Sequence, residues 1–205
     1  MTRREMIRSL VLGAASLATV PDTVWGARAN IALKKNHAQK REKELLQPLV
    51  PEGSSKGLYT GQLSFVKVNT GETLEITYLN TMGELDPAAC KRLDQFFRCP
   101  QTGRFTSVSP SLFLLLDGVH RKLEAGRRPF VLFSGYRSPT YNRQLRRRDR
   151  HVARNSYHEK GMAADISLKG VRLTDIREAA KDLCGGGVGA YQDFVHLDVG
   201  PVRCW

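Results

Sequence analysis

A chain of 205 residues with 41% hydrophobic side chains can bury one full core, and its 25% charged residues are an ordinary globular share that excludes wholesale disorder. Lysine and arginine total 32 against 20 acidic residues, a formal +12, so the chain is drawn to anionic surfaces: nucleic acid, a membrane face or an anionic polymer. Four cysteines are too few to frame a disulfide miniprotein, which leaves the core to carry the fold.

In chain order, residues 1–29 come first and read as an export signal. Arg3, Arg4 and Arg8 precede an apolar run from Leu10 to Val20, and a small-residue site follows at Ala27-Arg28-Ala29. The run is about half the ~20 residues that span a bilayer. The paired Arg3-Arg4 resembles a twin-arginine signal, although Met6 stands where Phe is commoner. Removal of residues 1–29 leaves 176 residues with 28 basic and 18 acidic side chains, still a formal +10. The basicity therefore belongs to the exported part. Export predicts a periplasmic protein, argues against nucleic acid as partner and permits disulfides among Cys90, Cys99, Cys184 and Cys204. Four cysteines allow three full pairings, and the sequence selects none. No other stretch is apolar enough for stable membrane insertion.

Residues 30–57 are polar and basic, a flexible lead-in with a short helix expected around Lys40–Leu46. Apolar alternation on both sides of Asn69-Thr70-Gly71 predicts a hairpin. A helix is expected over Pro87–Phe97, and a second over Ser109–Glu124 with Ser109-Pro110 at its start. PFVLFSGY reads as a strand, Pro139–Arg148 as a basic helix and MAADISL as another strand. Leu173–Leu183 reads as an amphipathic helix stopped by the turn Gly185-Gly186-Gly187, and VGAYQDFVHLDVG as one or two closing strands. These elements predict a single α+β domain over residues 58–205, with helices packed on a mostly antiparallel sheet.

Five histidines are candidates for chemistry. His37 falls in the lead-in, His120 near a helix end and His151 beside the run Arg146 to Arg150; for these a surface role is expected. His158 and His196 differ. His158 is followed seven residues later by Asp165, and His196 lies within a strand expected to be buried. Two imidazoles and one carboxylate form a proper Zn2+ set when the fourth position stays open for water. Spacing alone leaves equal room for two unrelated buried histidines and a capping aspartate.

Three blocks shift that balance: SGYRSPTYNRQL, SYHEKGMAADI and VGAYQDFVHLDVG. Together they resemble the exported zinc peptidases of the DUF882 type, relatives of the D-alanyl-D-alanine carboxypeptidases and endopeptidases of the M15 class. The resemblance covers roughly residues 58–205 and implies the corresponding D-Ala-D-Ala peptidase/hedgehog-like fold. It makes His158, Asp165 and His196 the ligands of one Zn2+ per chain. It also places the general base three positions before the last histidine, at Asp193, one methylene shorter than the Glu found in relatives. Asp198 competes: two positions after His196 it shares a strand face, as an alternative base or as a hydrogen-bond partner of the ligand. Arg137 matches the family's substrate-binding arginine, suited to an oxyanion or a substrate carboxylate. Ser156 corresponds to a substrate-contacting position, Ser134 and Tyr136 shape the turn, and Glu159 is a weaker candidate for the base.

The implied function is a zinc-dependent peptidoglycan endopeptidase that hydrolyses amide bonds in stem-peptide cross-links during cell-wall remodelling. It would act as a periplasmic monomer exported by the twin-arginine route. A D,D- or L,D-carboxypeptidase and a non-catalytic cell-wall-binding module are the alternatives on the same scaffold. The sequence does not choose the bond cleaved.

Overall fold

The computed structural model describes residues 59–205; the segments read above as an export signal and a lead-in, the short helix expected around Lys40–Leu46, and His37 lie outside the described residues. Alternation around Gly71 folds back as expected. Strands β1 (Gln62–Lys67) and β2 (Thr73–Thr77) pair antiparallel, with Leu63 opposite Ile76 and Phe65 opposite Leu74, so one face of the hairpin is apolar.

Helix α1 (Pro87–Phe96) starts where the Asp86 carboxylate accepts the Ala88 N–H at 2.8 Å and proline occupies the first turn. Phe97, expected inside it, is the C-cap residue and is nevertheless buried. Helix α2 (Pro110–Lys122) has Ser109 at its N-cap, but that hydroxyl makes no capping bond. The helix ends two residues short of Glu124, which adopts a left-handed φ of 47°. Helix α3 (Pro139–Arg148) has the expected bounds and is capped by the Ser138 hydroxyl. Helix α4 (Leu173–Asp182) stops where Cys184 turns left-handed at φ 49°.

The glycines that follow therefore serve a purpose other than the expected helix stop. A Cβ on Gly186 would lie 1.9 Å from the Asp198 carbonyl oxygen, and one on Gly187 2.5 Å from the Asp198 carboxylate. They let the backbone approach the strand that carries His196.

Strands β3 (Phe130–Ser134), β4 (Ala163–Leu168), β5 (Gly187–Ala190) and β6 (Val195–Asp198) join the hairpin. A two-residue β7 (Arg203–Cys204), unforeseen in the sequence, completes a sheet ordered β2-β1-β3-β4-β6-β5-β7. The pairs β1/β3 and β5/β7 are parallel and the other four antiparallel, so the α+β expectation holds. Helix α4 packs on β4, β5 and β6, while α2 packs on β1 and α4. Phe65 is at the centre of the core, edge-on to Phe97 at 5.3 Å and 5.8 Å from Phe130, a favourable aromatic arrangement.

Period-two alternation now places the chemistry. Ala164, Ile166 and Leu168 of β4 and Val195 and Leu197 of β6 enter this core. Asp165, His196 and Asp198 consequently point to the other face of the sheet. No helix among the described residues is long and apolar enough to cross a membrane.

Candidate metal centre

Antiparallel register sets Asp165 directly opposite His196, so two candidate ligands sit side by side on adjacent strands. The third, His158, comes from a short 3-10 turn (Tyr157–Lys160). The Ser156 hydroxyl accepts the His158 N–H at one end of that turn, and Gly161 ends it in a left-handed conformation at φ 66°. A Cβ on Gly161 would fall 2.4 Å from the Ser107 carbonyl oxygen, so only glycine brings the turn this close to the loop before α2. All three side chains are buried.

The hydrogen bonds fix which atoms face one another. His158 Nδ1 lies 2.7 Å from the Gly135 carbonyl, which can only accept, so Nδ1 carries the proton and Nε2 keeps a lone pair. His196 Nε2 lies 3.0 Å from Asp198 Oδ2, which places its proton there and its lone pair on Nδ1. These lone pairs converge on Asp165 Oδ1: His158 Nε2 is 3.2 Å away, His196 Nδ1 is 2.8 Å away, and the two nitrogens are 3.2 Å apart. Three buried acceptors thus face one point. A single proton can serve one pair among them, whereas a cation serves all three. Two imidazole nitrogens and one carboxylate oxygen, all within 4.8 Å of one another, are a donor set that fits Zn2+.

The charges agree with this arrangement. Burial pulls His158 below the ordinary imidazole range, although the Asp165 charge opposes it. For His196 burial also pulls down, but hydrogen bonds to Asp165 and Asp198 outweigh it and the imidazole is pushed up, so a positive charge at Nδ1, proton or cation, is favoured against Asp165. Burial penalises the Asp165 carboxylate, yet His158, His196 and Arg137 around it hold it well below its usual value.

A shell of bonds supports the triangle. Asp198 is fully buried; both oxygens accept from the Arg203 guanidinium, at 3.2 and 2.7 Å, and Oδ1 also takes the N–H groups of Gly187 and Gly200. Despite the cost of burial, the His196 and Arg203 bonds hold its pKa at about 2. Arg203 lies between the rings of Tyr157 and Trp205, 5.1 and 4.8 Å from their centroids, and Trp205 packs 5.4 Å from the His196 ring. Arg137 donates Nη2 to the free oxygen of Asp165 and Nε to the Ser134 hydroxyl.

The sequence-derived candidates therefore separate. His158, Asp165, His196 and Arg137 come together, and Ser156 lies beside them. Asp198 is bonded to the far side of His196. Asp193 sits just ahead of β6, in an exposed bend between Tyr191 and Phe194. Glu159 accepts from the Asn142 amide. Tyr136 is buried, with its N–H on the Phe97 carbonyl. His120 closes the end of α2, its Nε2 on the Arg128 carbonyl at 2.7 Å. His151, expected on a solvated basic face, is exposed and also lines the cleft over the triangle.

That cleft has a volume of about 590 Å3 and is lined by Arg137, His158, Asp165 and His196 together with residues of α3, the 149–157 segment and the β5–β6 loop. Arg203 and Trp205 were missed in the sequence; the Gly200-Pro201 turn, which sends the chain back beside β5, was the available signal.

Comparison with known proteins agrees with this geometry. The family described as peptidoglycan L,D-endopeptidase MepK matches residues 56–205. The chain is 40% identical over 147 residues to the peptidoglycan L,D-endopeptidase MepK of Escherichia coli, covering 70% of this chain and 79% of that protein. It is 38% identical over 145 residues to the probable peptidoglycan L,D-endopeptidase MepK of Haemophilus influenzae, covering 70% and 77%.

Proposed function

The chain belongs to the peptidoglycan L,D-endopeptidase MepK family, and from that membership we propose that it is a zinc-dependent endopeptidase hydrolysing amide bonds in peptidoglycan cross-links. The observation that carries the zinc assignment is the convergence of three buried lone pairs, on His158 Nε2, His196 Nδ1 and Asp165 Oδ1, at the floor of an open cleft. Zinc held by these atoms would supply Lewis acidity, polarising the scissile carbonyl and making water nucleophilic near neutral pH.

The chain's own residues do the rest. Gly135 and Asp198 fix the two imidazole tautomers, and Arg137 holds the Asp165 carboxylate in place. Arg137 Nη1 has no partner among the described residues, and its side chain lines the cleft, so it stabilises the oxyanion that develops on the attacked carbonyl. Asp198 is committed to His196, Arg203 and two backbone N–H groups, which makes it a positioning residue. Asp193 then serves as the proton carrier: its exposed carboxylate lies in the loop whose Tyr191 and Phe194 line the cleft, and it takes a proton from water and returns one to the leaving amine. Ser156 contacts substrate at the cleft wall while its hydroxyl caps the His158 turn.

The remaining assignments form one account. Residues 1–29 are an export signal of the twin-arginine type, residues 30–57 a basic lead-in, and the enzyme acts as a periplasmic monomer with one zinc. Its net positive charge attracts it to a cell wall rich in carboxylates. The test is mass spectrometry of muropeptides after purified sacculi are incubated with the zinc-loaded protein. Conversion of cross-linked dimers to monomers is expected. Shortened stems with intact cross-links would mean a carboxypeptidase, and metal binding without any product a cell-wall-binding module.

A further inference from the structure

The cleft holds one cation that the mechanism above does not use. Three guanidinium groups line it, those of Arg137, Arg148 and Arg203. Arg137 is bonded to Asp165, and Arg203 is forked onto Asp198. Arg148, exposed in the last turn of α3, has no hydrogen-bond or ion-pair partner among the described residues. The adjacent Asp149 also lines the cleft but is not ion-paired with Arg148; its Oδ1 accepts the His151 backbone N–H at 2.8 Å. Basic residues in a last turn complement the helix dipole, and Arg146 and Arg147 do so equally, but of the three only Arg148 lines the cleft.

A second part of the same cleft presents aromatic rings. Tyr191 and Phe194 stack with ring centroids 4.7 Å apart and planes 20° apart, and the Tyr191 hydroxyl lies 3.3 Å from the Trp205 indole nitrogen. Tyr191 is 44% exposed and Trp205 47%, so this surface is open to a ligand. One guanidinium without a partner among the described residues and one aromatic shelf, lining the same cleft as the metal triangle, suit a peptide residue with both an aliphatic chain and a carboxylate.

Resting on the peptidase reading above, we infer that Arg148 forms a carboxylate subsite. The enzyme thereby selects cross-linked stem peptides whose carboxylate beside the scissile bond is free over those in which it is amidated. The guanidinium accommodates a carboxylate bidentately, whereas a carboxamide offers one acceptor oxygen and no charge.

The test uses two synthetic cross-linked stem peptides, identical except that this carboxylate is free in one and a carboxamide in the other. For the zinc-loaded wild type, kcat/KM is expected to be about tenfold higher for the free acid, the difference residing in KM, as for a charge-assisted bond in a partly desolvated cleft. Arg148→Gln should bring the ratio close to one by raising KM for the acid alone, and Arg148→Lys should retain part of the preference. Zinc content should match wild type in both variants and Tm should change little, because Arg148 has no hydrogen-bond or ion-pair partner among the described residues and Arg146 and Arg147 still complement the helix dipole. Equal turnover of the two peptides by wild type, or a preference that survives Arg148→Gln, overturns the subsite while leaving the peptidase reading intact. Absence of turnover of either peptide by zinc-loaded wild type overturns both.

Discussion

Of the three carboxylates buried among the described residues, two, Asp117 and Asp165, are treated in opposite ways. Asp117, in the apolar helix α2, is fully buried and surrounded by donors. Oδ1 accepts from the Thr60 N–H and hydroxyl, and Oδ2 from the Gly61 N–H at 2.9 Å and the Tyr78 hydroxyl at 2.8 Å. Asp165, on β4, has donors on one oxygen only. Its Oδ1 faces two imidazole nitrogens whose protons are held elsewhere. A buried carboxylate whose acceptors are met fastens the chain just before β1 to α2. One left among other acceptors is stable only with a cation between them. The contrast separates structure from function without reference to any relative.

The two sites should therefore fail differently, and the largest difference lies in turnover. Asp165→Ala or His196→Ala should lower peptidoglycan cleavage at least about a thousandfold and abolish stoichiometric zinc binding, while costing little thermal stability in the metal-free protein. Asp117→Ala should do the reverse. It strands the buried Gly61 N–H and Tyr78 hydroxyl and frees both Thr60 donors, and is expected to cost roughly 3–5 kcal/mol, lowering Tm by about ten degrees with zinc content per folded molecule unchanged. Calorimetry and metal analysis on the two purified variants would expose any convergence of the phenotypes, which would break the comparison.

A smaller effect sharpens it. Asp198→Asn keeps the shape beside His196 but no longer fixes the proton on Nε2, so zinc affinity should fall about 10- to 100-fold, read by competition with a chromophoric chelator. An unchanged affinity would remove Asp198 from the positioning role.

The smallest effect concerns pH. Burial and the Asp117 charge push the Tyr78 phenol well above its ordinary value. The folded state keeps that proton where the unfolded chain loses it. The Tyr78 contribution is therefore complete below about pH 10 and declines as pH rises beyond it. Denaturant titrations between pH 8 and about pH 11 should show the loss. Tyr78→Phe should cost about 1 kcal/mol at neutral pH and flatten the alkaline decline. The proposed zinc site should respond at the opposite end of the scale, since acid protonates its imidazoles and would release the metal.

Much of this was legible beforehand because two periodicities carry it. Apolar alternation in MAADISL and FVHLDV places Asp165, His196 and Asp198 on one sheet face, and helix α3 has its expected bounds because Ser138-Pro139 and a basic last turn mark both ends. Other features depend on meetings between distant residues. Nothing in SLFLLLDGVH says that Asp117 will meet Thr60, Gly61 and Tyr78. A two-residue strand is too short to show a period, so Arg203 and Trp205 came to light only once β7 paired with β5. The tautomer of His158 depends on the Gly135 carbonyl, 23 residues away. Asp193 lies outside β6, and its part in proton transfer has a direct test: Asp193→Asn should abolish turnover with zinc retained.

The central claim is that three converging lone pairs hold a catalytic zinc, and anomalous diffraction at the zinc edge from crystals of the zinc-loaded protein tests it most directly. The account predicts a single strong peak bounded by His158 Nε2, Asp165 Oδ1 and His196 Nδ1, at about 2.0–2.2 Å from each, with an open side facing the cleft. No peak there, or a metal bound elsewhere in a protein that still cleaves cross-links, would contradict it.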